Sequence, residues 1–118
     1  MARYQHLPVF QDSYDLVIEI HKRVEKFPRV HRYSIGEKLK DISFNILDFI
    51  IRANSIEQKT DTLKEAELSV ERLKVYVRLC YDLKIFSLKG FEYVARKIDT
   101  INRQVLKWKG WSLKQQKV

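Results

Sequence analysis

The chain has 118 residues, of which 45% are hydrophobic, 3 are glycine and 2 are proline. This length fits one domain, residues 1–118, whose apolar content can close a core without a disulfide or a metal. The 23 Lys and Arg against 15 Asp and Glu give a net charge of +8, which favours a polyanionic partner. The single cysteine excludes an intramolecular disulfide, and no secretory or membrane-spanning segment is recognisable. We therefore expect a cytoplasmic protein without a membrane partner.

The first predicted helix covers about residues 12–26. Apolar residues recur there at intervals of three and four, which is the spacing of one helical face. Asp12 or Ser13 is suited to be its N-cap, because both side chains can accept hydrogen bonds from free backbone N–H groups. Pro28 marks its end, since a residue that precedes proline is pushed out of the helical region.

The second predicted helix covers about residues 30–54, with Ser34 and a glutamate three residues later at the spacing of a capping box. Beside its core-facing stripe it carries a second apolar face, formed by Phe44, Leu47 and Ile51. One four-helix bundle normally covers only one wide stripe of each helix, so this face predicts a subunit interface. The alternative is a single wide stripe that neighbouring helices bury completely.

The third helix is predicted over about residues 62–86, with Thr62 as its N-cap, and the fourth over about residues 88–108, after Ser87. Residues 109–118 are expected to form a basic C-terminal tail. Four helices joined by short loops predict an all-α fold, and an antiparallel up-down four-helix bundle is its simplest arrangement.

No residues capable of catalysis can be assembled from the sequence. His6, His21 and His31 are scattered, and His21 falls on the apolar stripe of its helix, where a core or boundary histidine is expected. Cys80 lies within an apolar seam and is interpreted as a small hydrophobic residue. We therefore predict a protein that is not an enzyme and that uses no metal and no cofactor.

Basic residues form two clusters and one line along the fourth predicted helix. Residues 88–118 alone carry eight Lys and Arg against two carboxylates. A single charge run is usually a solvated helix face, but several on one small domain favour contact with nucleic-acid backbones, with little sequence preference. The candidate nucleic-acid or partner-binding residues are Lys22, Arg23, Lys26, Arg29, Arg32, Lys74, Arg78, Lys84, Lys89, Arg96, Arg103 and Lys107.

Several motifs resemble a family of small bacterial and phage four-helix bundles. Residues 26–39 carry KFP, then RY, then IGEKL, which is similar to the family signature KFPxxxRYxLGxxI. The segments 73–84 and 87–108 resemble the accessory variability determinant (Avd) branch, which belongs to diversity-generating retroelements. The branch encoded in ribosomal RNA intervening sequences usually has an SxPSNIAEG-like segment where residues 45–54 read NILDFIIRAN. A departure from the family is that Asn102, Leu106 and Lys107 replace its usual glycines.

This resemblance implies a homopentameric barrel of bundles that binds RNA or DNA and a partner reverse transcriptase. In that role the protein would support mutagenic copying of a template RNA into a variable gene. Two alternatives stay open: a ribosomal-RNA-associated bundle without a reverse transcriptase, and a structural adaptor that binds protein through the second apolar face. The genes that flank this one would distinguish the first alternative from an Avd protein. The mass in solution together with an RNA-binding assay would distinguish the second.

Overall fold

The computed structural model describes residues 7–116, and within that range it contains helices and no strand. Each long helix packs against two others, so that the four long helices form a square of antiparallel neighbours around one core. The predicted all-α four-helix bundle is thereby confirmed. The elements are α1 (Pro8–Glu25), α2 (Arg29–Arg32), α3 (Ile35–Ser55), α4 (Thr60–Asp82) and α5 (Leu88–Gln116).

Helix α1 begins four residues before the predicted N-cap. Leu7 is the residue at the cap position, with extended backbone, and Pro8 starts the helix. Proline suits the first helical position because it has no N–H to leave unbonded and its φ is already helical. The predicted caps are inside the helix: the Asp12 carboxylate accepts a hydrogen bond from Gln104 (2.6 Å), and Ser13 is buried. The N-cap prediction was therefore wrong.

The predicted second helix is divided into the single turn α2 and the long helix α3. Ser34 lies between them and does not cap α3: its hydroxyl instead donates to the carbonyls of Val30 (3.2 Å) and His31 (3.4 Å). The predicted capping box is therefore absent. The break lets the chain turn from α1 into α3 while α2 packs against the latter.

Helix α4 starts at Thr60, so Thr62 lies inside it and the prediction of Thr62 as N-cap was wrong. The helix ends at Asp82, four residues before the predicted end. Its end is set by Lys84, whose φ of 64° places it in the left-handed region. The Lys84 N–H bonds the Tyr81 carbonyl (2.9 Å), and the Ile85 N–H bonds the Cys80 carbonyl (2.8 Å). This is the Schellman arrangement, in which glycine normally occupies the left-handed position.

Helix α5 continues through most of the expected tail. Ser87 caps it as predicted, because its Oγ accepts a hydrogen bond from the Gly90 N–H (3.1 Å). Beyond Trp108 the helix extends to Gln116, and the prediction of a tail over residues 109–116 was wrong; residues 117 and 118, like His6, lie outside the described residues. Contacts with α4 support the extension, since Lys109 pairs with Glu67.

The core follows the apolar seams that the sequence predicts. The fully buried apolar side chains of α3 are Leu39, Ile42, Ile46, Ile50 and Ala53, while Phe49 is only partly buried. Cys80 is completely buried in the α4 seam, and burial raises the pKa of its thiol to about 12. No helix among residues 7–116 combines the length and apolar content that crossing a bilayer requires.

Candidate nucleic-acid interface

One side of α5 carries a line of cations that we call the α5 ridge: Lys89, Arg96, Arg103 and Lys107. All four residues are exposed, and none lies within ion-pairing distance of a carboxylate among the described residues. The ridge is about 27 Å long at the helical rise of about 1.5 Å per residue. It therefore offers a line of cations that form no ion pair within the described residues, although Glu92 and Asp99 lie one helical turn from its members and lower the local field.

A second group of cations lies at one end of the bundle, where the α1–α2 and α4–α5 turns meet. The rings of Phe27 and Phe86, one from each turn, are 5.5 Å apart, so the two turns lie side by side. Around them lie the basic pole residues, all exposed and without an ion pair in the described part of the chain: Lys22, Lys26, Arg29 and Lys84. The α5 ridge starts beside this pole, at Lys89.

Arg23 belongs to the same end but uses its guanidinium within the protein. Its Nε lies 2.6 Å from a Glu19 carboxylate oxygen, and its Cζ lies 5.9 Å from the Phe86 ring centre and 5.2 Å from that of Tyr93. These contacts join α1 to the start of α5. Because its charge is paired and stacked, Arg23 is less available to a ligand than the four basic pole residues.

Arg32 is likewise engaged within the bundle. Its Nη2 donates hydrogen bonds to the carbonyls of Glu25 (3.0 Å) and Phe27 (3.4 Å), which are carbonyls at the end of α1. A cation at a helix C-terminus also stabilises the helix dipole. Arg32 therefore stabilises the turn from which the basic pole projects.

The two candidates on α4 are each accompanied by carboxylates. Lys74 Nζ lies 3.8 Å from Glu71 and 3.9 Å from Asp99, and Arg78 Nε lies 3.2 Å from Asp82. Surface pairs of this kind add little stability, but they reduce the local positive field. The field around Lys74 and Arg78 is thus weaker than along the α5 ridge.

An aromatic groove, which the sequence reasoning missed, lies at the far end of the α5 ridge from the basic pole. It has a volume of about 410 Å³, and Trp111 on its wall is 50% exposed. Its signal in the sequence is the placement of Trp108 and Trp111 one and four residues after Lys107. The two side chains form one surface only because α5 continues past Trp108. The groove is lined by Leu7, Pro8, Val9, Gln104, Lys107, Trp108 and Trp111.

The predicted second face of α3 is partly open to solvent in the single chain, because Phe44 is exposed while Leu47 and Ile51 are half-buried. Phe44 is 45% exposed, and its ring lies 5.0 Å from that of His21 on α1. The alternative of complete burial by neighbouring helices is therefore wrong for Phe44. Tyr14 and Ile18 are also exposed and recur at helical spacing with His21, so they lie on the same side of α1. We call the resulting patch the α1–α3 apolar surface: Tyr14, Ile18, Phe44, Leu47 and Ile51.

A second apolar surface on α4 was not predicted. Leu68, Val75 and Leu79 recur at helical spacing on the side of α4 opposite its buried seam, and Leu83 continues the line at the helix end. Val75 is 61% exposed. The same spacing rule that located the core could have located this α4 apolar stripe, because its members repeat every seven and four residues.

The described residues offer no recognisable centre for metal or nucleophilic chemistry. No group of three or more His, Cys, Asp or Glu side chains within residues 7–116 is placed to hold a metal ion. The His21 Nδ1 donates to the Val17 carbonyl (2.8 Å) at the boundary of the core, as predicted. The high pKa of Cys80 keeps its thiol protonated and poorly nucleophilic.

The fold and the surfaces define a class of protein: a basic antiparallel four-helix bundle with a cationic ridge and two exposed apolar surfaces. The family model described as bAvd-like matches residues 8–111 of the chain, and the chain belongs to this family. The match confirms the relationship to the Avd family that the motifs indicated. Among curated proteins, none matches the chain.

Proposed function

We propose that this protein is a non-catalytic accessory subunit of a diversity-generating retroelement, which binds template RNA or its DNA copy together with the reverse transcriptase to support mutagenic retrohoming. Membership of the bAvd-like family supports the retroelement role. The observation that carries the nucleic-acid role is the α5 ridge, where four exposed cations without carboxylate partners lie along about 27 Å. Nucleic-acid backbones present phosphates along such a line.

The ridge gives affinity without reading sequence. Each cation that neutralises a phosphate releases condensed counterions, so the observed affinity falls as salt rises, with a slope of about −0.7 to −0.9 for each contact. The basic pole extends the positive surface beyond Lys89. Cations that already have carboxylate partners, such as Arg78 beside Asp82, contribute less to this salt-dependent affinity.

A charge-matched pair of variants tests this role. The ridge variant carries Lys89→Gln, Arg96→Gln and Arg103→Gln, and the control variant carries Lys38→Gln, Arg52→Gln and Lys64→Gln, three exposed cations on α3 and α4. Both variants have the same net charge. We expect the salt slope of RNA binding to fall by about 2 to 3 in the ridge variant and by less than 1 in the control. Equal slopes in two folded variants would show that binding depends only on net charge.

The two apolar surfaces support a homo-oligomer. The α1–α3 apolar surface of one subunit packs against the α4 apolar stripe of the next, which is a contact between two different patches. Contacts of this type close into rings when the rotation allows it, and the family resemblance implies five subunits. A ring would also repeat the α5 ridge and so convert weak contacts into avidity.

Mixing two interface variants tests the pairing. Phe44→Glu disables the α1–α3 apolar surface, and Val75→Glu disables the α4 apolar stripe, so each variant alone should be monomeric by light scattering. The mixture should form a dimer, because each variant retains one intact surface that complements the other. If Phe44→Glu alone retains the full mass, the α1–α3 apolar surface is not the interface.

The reverse transcriptase partnership is tested by co-purification with a reverse transcriptase of a diversity-generating retroelement, in high and low salt. We expect a complex that the ridge variant weakens and the control variant retains. A protein that is monomeric until a protein partner is added, and that does not shift RNA, would instead be the structural adaptor. An insertion of the gene within a ribosomal RNA gene would favour the ribosomal branch.

A further inference from the structure

We propose that the aromatic groove is a stacking site for an unpaired base of single-stranded nucleic acid whose backbone follows the α5 ridge. This inference rests on the proposed function and specifies its ligand. The groove and the ridge share Lys107, which is both the last cation of the ridge and part of the groove wall. A strand that runs from the basic pole along the ridge therefore reaches the groove without leaving the surface.

The walls of the groove suit the flat face of a base better than a phosphate. Trp108 and Trp111 come from α5, and Leu7 and Pro8 lie opposite them at the start of α1. Lys107 supplies the only charge among the lining residues. Stacking of bases on aromatic side chains is a general mode of single-strand binding, and the adjacent cation is placed to meet the backbone.

The polar groups of the groove provide little basis for reading base identity. The Gln104 amide N–H group is already used, because Nε2 donates to the Asp12 carboxylate (2.6 Å) and to the Thr100 carbonyl (3.2 Å). The remaining contact surface is mainly apolar. Such a groove accepts any base that can leave a stack, so it selects single strands over duplexes rather than one sequence over another.

Tyr93, the other aromatic residue beside the α5 ridge, is less available for stacking with a base. Arg23 Cζ lies 5.2 Å and Lys97 Nζ lies 5.1 Å from its ring centre. These cations already occupy space over the ring, whereas Trp111 is half exposed at the mouth of the groove. The structure therefore points to the groove as the stacking position along this line.

Tryptophan fluorescence is a direct test, because the chain has only two tryptophans and both line the groove. The probes are single-stranded oligothymidylate and a blunt DNA duplex of the same length, each titrated into the full chain at low salt. We expect the single strand to quench the fluorescence and to shift the protein in a gel. The duplex should shift the protein but leave the fluorescence unchanged, because its bases remain stacked.

Binding by variants separates stacking from charge. Trp111→Ala should weaken oligothymidylate binding by about tenfold or more while leaving duplex binding unchanged, and Trp111→Phe should retain most of the affinity. The matched control is Tyr33→Ala, which removes a 71% exposed aromatic side chain at the opposite end of the bundle. It should bind both probes as the unchanged chain does, and circular dichroism checks that every variant is folded.

The outcomes that contradict the inference differ from those that contradict the proposed function. Salt-dependent binding of both probes without quenching, and with equal affinity in Trp111→Ala, would overturn the stacking site but leave the ridge as a phosphate-binding surface. Quenching by the reverse transcriptase but not by oligothymidylate would overturn it in favour of a protein-docking groove. Failure of the unchanged chain to bind either probe would contradict the proposed function itself.

Discussion

Thr60 and Ser112 share a buried hydrogen bond of 2.8 Å between their hydroxyls, although they are 52 residues apart in the chain. It joins the first turn of α4 to the last turns of α5, and the two residues are only 3% and 4% exposed. Together with the ion pair between Lys109 and Glu67, it holds residues 109–116 in a helix beside α4. The aromatic groove exists because α5 is continued in this way.

Ser112→Ala should therefore reduce the free energy of unfolding by about 1–3 kcal/mol, because it leaves the buried Thr60 hydroxyl without its partner. The double variant with Thr60→Val replaces both hydroxyls by apolar groups and should recover part of that loss. Urea denaturation of the four members of this cycle measures the coupling. Equal and additive losses in both single variants would show that the hydrogen bond contributes nothing.

Replacement of Gly36 and of Gly110 by alanine should change the free energy of unfolding in opposite directions. A Cβ at Gly36 would lie 2.7 Å from the Val24 Cγ1 and 3.2 Å from the His31 carbonyl oxygen, whereas a Cβ at Gly110 would meet nothing within 4 Å. We expect Gly36→Ala to destabilise by about 1–2 kcal/mol through overpacking. Gly110→Ala should stabilise by about 0.5–1 kcal/mol, because alanine loses less entropy in a helix. Thermal unfolding of both variants tests the contrast, and stabilisation in both would contradict it.

At position 84, glycine should stabilise the fold more than the native lysine does. A non-glycine residue in the left-handed region costs about 1–3 kcal/mol, and glycine recovers this apart from its own entropy cost of about 0.5–1 kcal/mol. Lys84→Gly should thus raise the free energy of unfolding by about 1 kcal/mol in denaturant titrations. Lys84→Asn, which tolerates the same backbone, should be intermediate, and Lys84→Ala should give no gain.

Because of the Cys80 thiol, the free energy of unfolding should depend on pH in the alkaline range. Burial raises its pKa from 9.0 to about 12, so the folded chain keeps a proton that the unfolded chain loses. The stability linked to this group is therefore complete below pH 9.0 and falls as the pH rises from there towards 12. Cys80→Ala should lack this component when unfolding is compared at about pH 8 and about pH 10. A thiol reagent should label the native chain only after unfolding, and rapid labelling of the folded chain would refute the burial argument.

Arg23 should behave as a packing residue rather than as a binding residue. Arg23→Met keeps the aliphatic stem but removes the pair with Glu19 and the contacts with Phe86 and Tyr93. We expect the free energy of unfolding to fall by about 1–2 kcal/mol, which is the range for a partly buried cation–π contact together with an ion pair. Its RNA affinity should fall less than that of Lys26→Gln, an exposed basic pole residue. If Arg23→Met instead lowered the RNA affinity more than Lys26→Gln does, Arg23 would belong to the binding surface.

The helical seams were predictable because their signal is local. A stripe such as Leu63, Val70 and Val77 repeats within one helix, so the 3.6-residue period alone identifies the buried side, and the structure buries all three residues. The basic line of α5 follows from the same periodicity. The end of α4 was not predictable in this way, because Lys84 adopts a backbone conformation that its residue type does not favour.

By itself, the sequence determined the helical class, the buried seams, the charge of the α5 ridge and the family to which the chain belongs, since each is encoded in spacing or in a motif. Only the tertiary structure decided which cations remain free and where an aromatic groove forms. Arg23 packs against the Tyr93 ring, Arg32 is held by a carbonyl at the end of α1, and Leu7 lines the same groove as Trp111 only after the chain has folded back on itself. The placements of Arg23 and Leu7 depend on residues far apart in sequence, which no local period can record, and that of Arg32 depends on how the turn after α1 folds.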